Sequence, residues 1–363
     1  MRARRGGWRL RVALTAVALS FGGTAAGSAP ELQVIANGCG PGTTLLLGAA
    51  RSCVHSAVDS VDVRAQAQWV GKAPVTSPPV CYGDGQTGPR VQLIYGYVSG
   101  QKNRATTVLP LIRNGFAPRM QAMVKAASAG RDLGIRFTFN KGCAGLSVPV
   151  VAFPASVVAT GDANKQFDGM IARLQQLGFD RADRKYQVIW DRWNSGGICG
   201  LGELAPTLDQ PAKANLHDGV PTVGHTDVPS TVGVSSPGPR YSAVWKLAFG
   251  PKGVDCWEVG QSKAAVQVHE LLHTLGAVQL SAPHSDGGGH CTDTPSVMCM
   301  GGSGVPYSEP RCGIQKVQVL DCGNDDYWSP APAQGSYLAT HDNLADSSYV
   351  GPEPQDQLAA APL

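Results

Sequence analysis

Two histidines four residues apart, His269 and His273, constrain this chain more than any other feature. They lie in Val268-His269-Glu270-Leu271-Leu272-His273-Thr274-Leu275-Gly276. On a helix, four positions is about one turn, so both imidazoles share a face and can meet one metal ion. Glu270, beside the first histidine, sets a carboxylate within reach of a water on such a metal. The flanking residues support the helix. Ala264, Val268, Leu271 and Leu275 make an apolar stripe, and Ala265, His269, His273 and Gly276 make a second one beside it. Small Ala265 leaves room next to the imidazoles. Ser262 is the expected N-cap, and Gly276 the expected stop, because glycine adopts the left-handed conformation without Cβ strain. The plain alternative is a helix with two buried or surface histidines. With only eight histidines in the chain, His-Glu-x-x-His at this spacing rarely arises by chance.

The rest of the composition narrows the class. The 363 residues suffice for one large domain or two small ones, and 43% hydrophobic content supports a real core. Residues 1–26 read as a secretory signal peptide: Arg2, Arg4, Arg5, Arg9 and Arg11, then the apolar run Val12 to Phe21, then Thr24-Ala25-Ala26 for cleavage. Removal of those five arginines takes the formal charge from +3 to −2, so neither nucleic acid nor an anionic membrane is an expected partner. No later stretch is long and apolar enough to insert in a membrane, and a secreted, extracellular monomer is expected. Ten cysteines in such a chain imply disulfides, Cys39 included. Cys291–Cys299 and Cys312–Cys322 are short-range guesses, since sequence does not fix connectivity. With 45 glycines and 26 prolines, the fold should be rich in loops and not a helical bundle.

Residues 27–84 read as an N-terminal segment and linker. From Val91 the pattern changes to an α/β layer. Val91 to Val98 reads as a strand, 105–129 as a helix, Ile135 to Phe139 and Val148 to Phe153 as strands, Ala163 to Leu177 as a helix ended by Gly178, and Tyr186 to Asp191 as a strand. Residues 195–240 read as long loops that carry His217 and His225, both taken as solvated rather than ligands. Tyr241 to Phe249 is a further strand, a candidate to border a cleft. Near the end, Asp321-Cys322-Gly323-Asn324-Asp325-Asp326-Tyr327 offers either a calcium site or a capped turn, and the turn is favoured. Residues 351–363 read as a disordered tail.

His269-Glu270-Leu271-Leu272-His273-Thr274-Leu275-Gly276, followed by Met298 in a tight turn, resembles the metzincin zinc peptidases. The likeness is specific over about 262–300 and weak elsewhere. It implies a metallopeptidase domain over 85–350: an upper α/β half (85–276) with a twisted mixed sheet, two helices and the active-site helix, and a lower, irregular, disulfide-bonded half (277–350). A substrate cleft would lie between them. The chain also looks like a group of secreted bacterial proteins of this type that share Gly276-Ala277-Val278-Gln279, the Ser-Ala-Pro-His segment at 281–284 and the later Asp-Cys-Gly-x-Asp-Asp-Tyr. That group lends no established substrate.

Two departures matter. The family's third ligand normally falls three residues after the glycine, where this chain has Gln279, a poor zinc ligand. His284 and His290 are the replacements on offer, with Asp286 as an acidic alternative. Lengthening the ligand loop to His284 adds only about 0.5 kcal/mol of closure entropy. His284 is favoured, because Pro283 restricts its approach and His290 adjoins a probable disulfide. The second departure is Met300, where some relatives carry a tyrosine whose hydroxyl serves the oxyanion; Tyr307 is a possible substitute.

The sequence therefore points to a secreted zinc-dependent endopeptidase, with His269, His273 and His284 as zinc ligands, Glu270 as general base towards a zinc-activated water, and Met298 in the turn beneath the metal. Its partner would be a protein or peptide substrate. The alternative from another class is a secreted binding or cell-surface protein that keeps a structural zinc.

Overall fold

The structure, a computed structural model, describes residues 77–159, 161–194, 197–204, 239–248, 253–257, 264–287, 289–293, 296–299 and 319–352, and the backbone of two strands at 43–47 and 51–55. In chain order the strands are β1 (Thr43–Leu47), β2 (Arg51–His55), β3 (Arg90–Val98), β4 (Gly134–Ile135), β5 (Val150–Phe153), β6 (Arg184–Asn194), β7 (Gly200–Leu204), β8 (Arg240–Ala248), β9 (Val254–Asp255) and β10 (Val350–Gly351). The four helices that matter are α1 (Ala105–Leu111), α2 (Ala117–Ala126), α3 (Ala163–Gln176) and α4 (Ala265–Leu275).

Five strands form the centre of the fold in the order β7-β8-β6-β3-β5. The pairs β8–β6, β6–β3 and β3–β5 are parallel, while β7 runs antiparallel to β8. The β1–β2 hairpin continues the sheet beyond β7. Strand alternation sorts the side chains to two faces. Tyr186, Val188 and Trp190 of β6 join Tyr241, Ala243 and Trp245 of β8 in one core, which α3 covers through Phe167, Met170 and Leu174. Ile189 and Val244 point the other way, into a second core shared with α1, α2, α4 and the chain after Gly276. The outcome is three layers, with both faces of a mostly parallel sheet covered.

The sequence-read helices are found, with informative differences at their ends. Asp162 caps α3, its Oδ1 accepting from the N–H of Asn164 at 2.9 Å and of Lys165 at 3.3 Å. The helix expected over 105–129 is interrupted by a π turn, Ile112–Phe116, immediately before Pro118. Proline lacks the N–H that a continuous helix would use and crowds the carbonyl four residues earlier, and widening that turn relieves both.

Three expectations change. Ile135 to Phe139 is not a continuous strand: two residues pair with the distant β10, and Phe137 and Phe139 make isolated bridges to Val91 and Leu146. Residues 200–204, read as loop, form β7. The strand at 240–248 lies inside the sheet, and α4 packs against both β7 and β8, most extensively against β7. Among the described residues after Gly276 the chain is mostly turns and bridges, with a four-residue helix, Tyr337–Thr340, a 3-10 turn, Leu344–Asp346, and β10, yet it contributes Val297, Met298, Leu320, Tyr327, Trp328 and Leu344 to the α4-side core.

Disulfides join Cys81 to Cys143, Cys199 to Cys256 and Cys291 to Cys299. Cys322 is also disulfide-bonded, with its partner outside the described residues. Cys39, the signal segment, Ser262, His217, His225, Met300 and Tyr307 likewise lie outside them. Among the described residues no helix is long and apolar enough to cross a membrane.

Candidate metal centre

Helix α4 is buried along its whole length, its polar residues Gln267, His269, Glu270, His273 and Thr274 included, packed between the sheet and an irregular layer. Gly276 ends it with φ 94°, and the N–H of Ala277 returns to the carbonyl of Leu272 at 3.0 Å, the six-to-one bond that closes such ends. The expected stop is therefore where the spacing put it. Strand β7 presses closely on the helix. A Cβ at Gly202 would stand 2.6 Å from the carbonyl oxygen of Glu270 and 2.9 Å from the Cβ of His273, and one at Gly200 would overlap the Glu270 carboxyl. Glycine at both positions is thus a steric requirement of the site's rear wall.

His269, His273 and His290 bring their ring nitrogens together. The Nε2 of His269 is 3.0 Å from the Nε2 of His273 and 3.2 Å from the Nε2 of His290. The Nδ1 of His269 donates to the carbonyl of Val297 at 2.9 Å, which places the ring proton there and leaves Nε2 with a bare lone pair. Burial first, and the neighbouring His290 next, push His269 down to about 3, so the ring is neutral. One lone pair cannot accept from two imidazoles at once, whereas a single cation satisfies all three nitrogens. Around a tetrahedral zinc with Zn–N of about 2.0–2.1 Å, neighbouring nitrogens stand about 3.3 Å apart, close to the observed spacings.

The imidazole that the structure brings to His269 and His273 is His290, whereas His284, the residue the sequence favoured, lies in a different cluster. Reaching His290 rather than His284 lengthens the closed loop from about eleven to about seventeen residues and adds only about 0.4 kcal/mol, too little to decide between them. Local contacts decide. Asp286 accepts the backbone N–H of His290 at 3.1 Å and faces its Nδ1 at 3.6 Å, the carboxylate behind the ring that commonly orients a ligand histidine. Asp286 therefore stands behind His290 rather than replacing it. The Cys291–Cys299 disulfide ties the next residue to the turn that carries Val297 and Met298. His284 is held elsewhere: its N–H donates to Asp326 Oδ1 at 2.8 Å, and its Nδ1 is 3.0 Å from both Asp326 oxygens. Gln279 is occupied as well, donating to the carbonyl of Asp342 at 3.1 Å.

Met298 is wholly buried in the turn, one residue after the carbonyl that fixes His269. Glu270 is 1% exposed, and burial holds its carboxyl well above the usual range, so it keeps a proton more readily than a surface glutamate. Four side chains that sequence reasoning assigned to one site thus divide: His269, Glu270 and His273 on α4, His284 in a different cluster. Gly200, Gly202 and Asp286 were not anticipated in their supporting roles. No protein-family model matches the chain, and no curated protein matches it.

Proposed function

We propose that this protein is a zinc-dependent peptidase of metzincin type that acts outside the cell. The convergence of three buried imidazoles, with a glutamate next to the first, carries this reading. His269, His273 and His290 would hold the zinc and leave a fourth position open, which is the donor count of catalytic rather than structural sites. When bound, zinc would supply a Lewis acid and draw the pKa of a water towards about 7. Glu270 would take a proton from that water and later give it to the leaving amine; burial raises its proton affinity in the direction a general base near neutrality needs. The Val297 carbonyl and Asp286 would keep the His269 and His290 rings turned inward.

The metzincin assignment draws on the mixed sheet with few helices before Gly276, the irregular layer after it, and Met298 in a turn against the site. Export is supported by the three disulfides and by the charged and apolar pattern of residues 1–26. Burial of all four site residues favours a second reading, a metal that only pins α4 to the loop after it.

The test uses the purified full chain, its metal content by elemental analysis, and hydrolysis of a mixed peptide substrate. Glu270→Gln should keep the wild-type metal content and lose hydrolysis by about 10²–10⁴-fold, the usual contribution of a general base. Undiminished hydrolysis by that variant would sink the mechanism. Full metal occupancy with no hydrolysis in the unmodified protein would select the pinning role.

A further inference from the structure

Outside the imidazole site, two more groups of donors converge among the described residues; in one, Cys291, Asp293 and Cys299, both sulfurs are spent in a disulfide, and the other remains. His284, Asp293, Asp325 and Asp326 place one nitrogen and three carboxylate oxygens within 4.8 Å of one another. From His284 Nδ1 the distances are 3.0 Å to Asp326 Oδ1, 3.8 Å to Asp325 Oδ1 and 3.9 Å to Asp293 Oδ2. Donors about 2.1 Å from a shared ion stand about 3.0 Å apart at right angles and about 3.4 Å apart at tetrahedral angles, so shifts of a few tenths of an ångström complete a coordination shell.

One further observation separates this group from an ordinary acidic turn. Asp293 is fully buried, and among the described residues its Oδ2 meets no hydrogen-bond donor. Its Oδ1 lies 2.9 Å from the sulfur of Cys299, which is bound in a disulfide and has no hydrogen to give. A buried carboxylate oxygen without a donor is costly unless a proton or a cation sits on it. Asp321, by contrast, is the capped turn that the sequence suggested: its Oδ2 accepts the N–H groups of Asp326, Tyr327 and Trp328 at 3.1, 3.0 and 2.8 Å, and so orients the Asp325–Asp326 segment towards His284. Asp325 and His284 are only partly buried, which leaves a way in from solvent.

We propose that His284, Asp293, Asp325 and Asp326 bind a second divalent cation, a transition-metal ion of zinc's size that takes mixed nitrogen and oxygen donors. The imidazole argues against calcium, which prefers six to eight oxygens at longer range. The alternative occupant is a proton: the buried carboxyls share hydrogens, consistent with the upward push that burial and the neighbouring aspartates give Asp293, to about 9. His284 and Asp293 flank His290 in sequence, so the ion would clamp the loop carrying the third imidazole to the segment at 325–326.

This inference does not depend on any peptidase activity, because its test counts ions. The full-length protein, stripped with a chelator, is titrated with Zn2+ by calorimetry, with elemental analysis of the dialysed product. Two equivalents are expected for the unmodified chain and one each for His290→Ala and Asp293→Asn. Asp325→Asn, at a partly exposed position, should weaken one equivalent at least tenfold with the fold intact, and it decides the matter if Asp293→Asn does not fold. A single equivalent in the unmodified chain that Asp325→Asn leaves undiminished overturns the proposal. So do two undiminished equivalents in both aspartate variants, or Ca2+ displacing Zn2+ from the second site at equal concentration.

Discussion

The two donor clusters draw on the same short stretch, residues 284–293, but solve opposite problems. Around His269 the donors are imidazoles, the His269 and His290 rings are turned by a backbone carbonyl and a carboxylate, and the wall behind them is a strand stripped of side chains at Gly200 and Gly202. Around Asp293 the donors are mostly acidic, and repulsion between carboxylates must be relieved by protons or by a cation. The first cluster is organised by secondary structure. The second is organised by loops and has a charge to neutralise. Metal affinity should therefore depend on ring orientation in one and on charge count in the other.

The sharpest way to break this contrast is to remove one imidazole. His290→Ala should weaken metal binding at the α4 site beyond the roughly 100-fold upper end seen when supporting residues are changed, whereas His284→Ala should leave that site's affinity within about threefold. If His284→Ala strips the α4 site and His290→Ala does not, the ligand assignment is wrong. Next in size is the strand wall. Gly200→Ala forces a methyl into the Glu270 carboxyl and should cost about 1–3 kcal/mol of stability in denaturant unfolding. Zn2+ binding at the acidic cluster should not follow, since the atoms nearest the added methyl belong to Glu270. An equal loss at both clusters would mean that they are one cooperative unit. The smallest effect expected is that of Asp286→Asn. The amide keeps an acceptor for the His290 N–H but removes the charge facing its Nδ1, so affinity at the α4 site should fall about tenfold, or about 1.4 kcal/mol. No change would show that the disulfide alone positions His290.

What could be read in advance follows from the range of the interactions involved. The α4 spacing, the stop at Gly276, the strands at 91–98 and 186–191, and the helix from Ala163 rest on contacts within a few residues, and the structure has them. Strand β7 was hidden because its glycines, chosen for close approach to α4, resemble loop composition. The strand at Ile135 shrank to two residues because its partner is Val350, far along the chain. His290 was closer to being legible. The Cys291–Cys299 pairing was suspected, and it alone brings His290 to the turn of Met298, which the resemblance puts beneath a metal. Adjacency to the disulfide was counted against His290, yet the disulfide and Asp286 together hold it there. The Asp321 turn was read correctly, but its output, the presentation of Asp325 and Asp326 to His284, needed the folded chain.

The Cys291–Cys299 bridge also carries a temporal meaning. It closes a ring between residues eight positions apart, with His290 joined to one end and, within it, the Val297 carbonyl that turns His269. In a reducing compartment that ring is open, and two of the three imidazoles lose a restraint together. The nascent chain would then be a weak competitor for scarce intracellular zinc, and oxidation would act as the timer that lets the centre assemble. Zn2+ affinity measured with and without a thiol reductant reads that timer directly, and equal affinities would stop it.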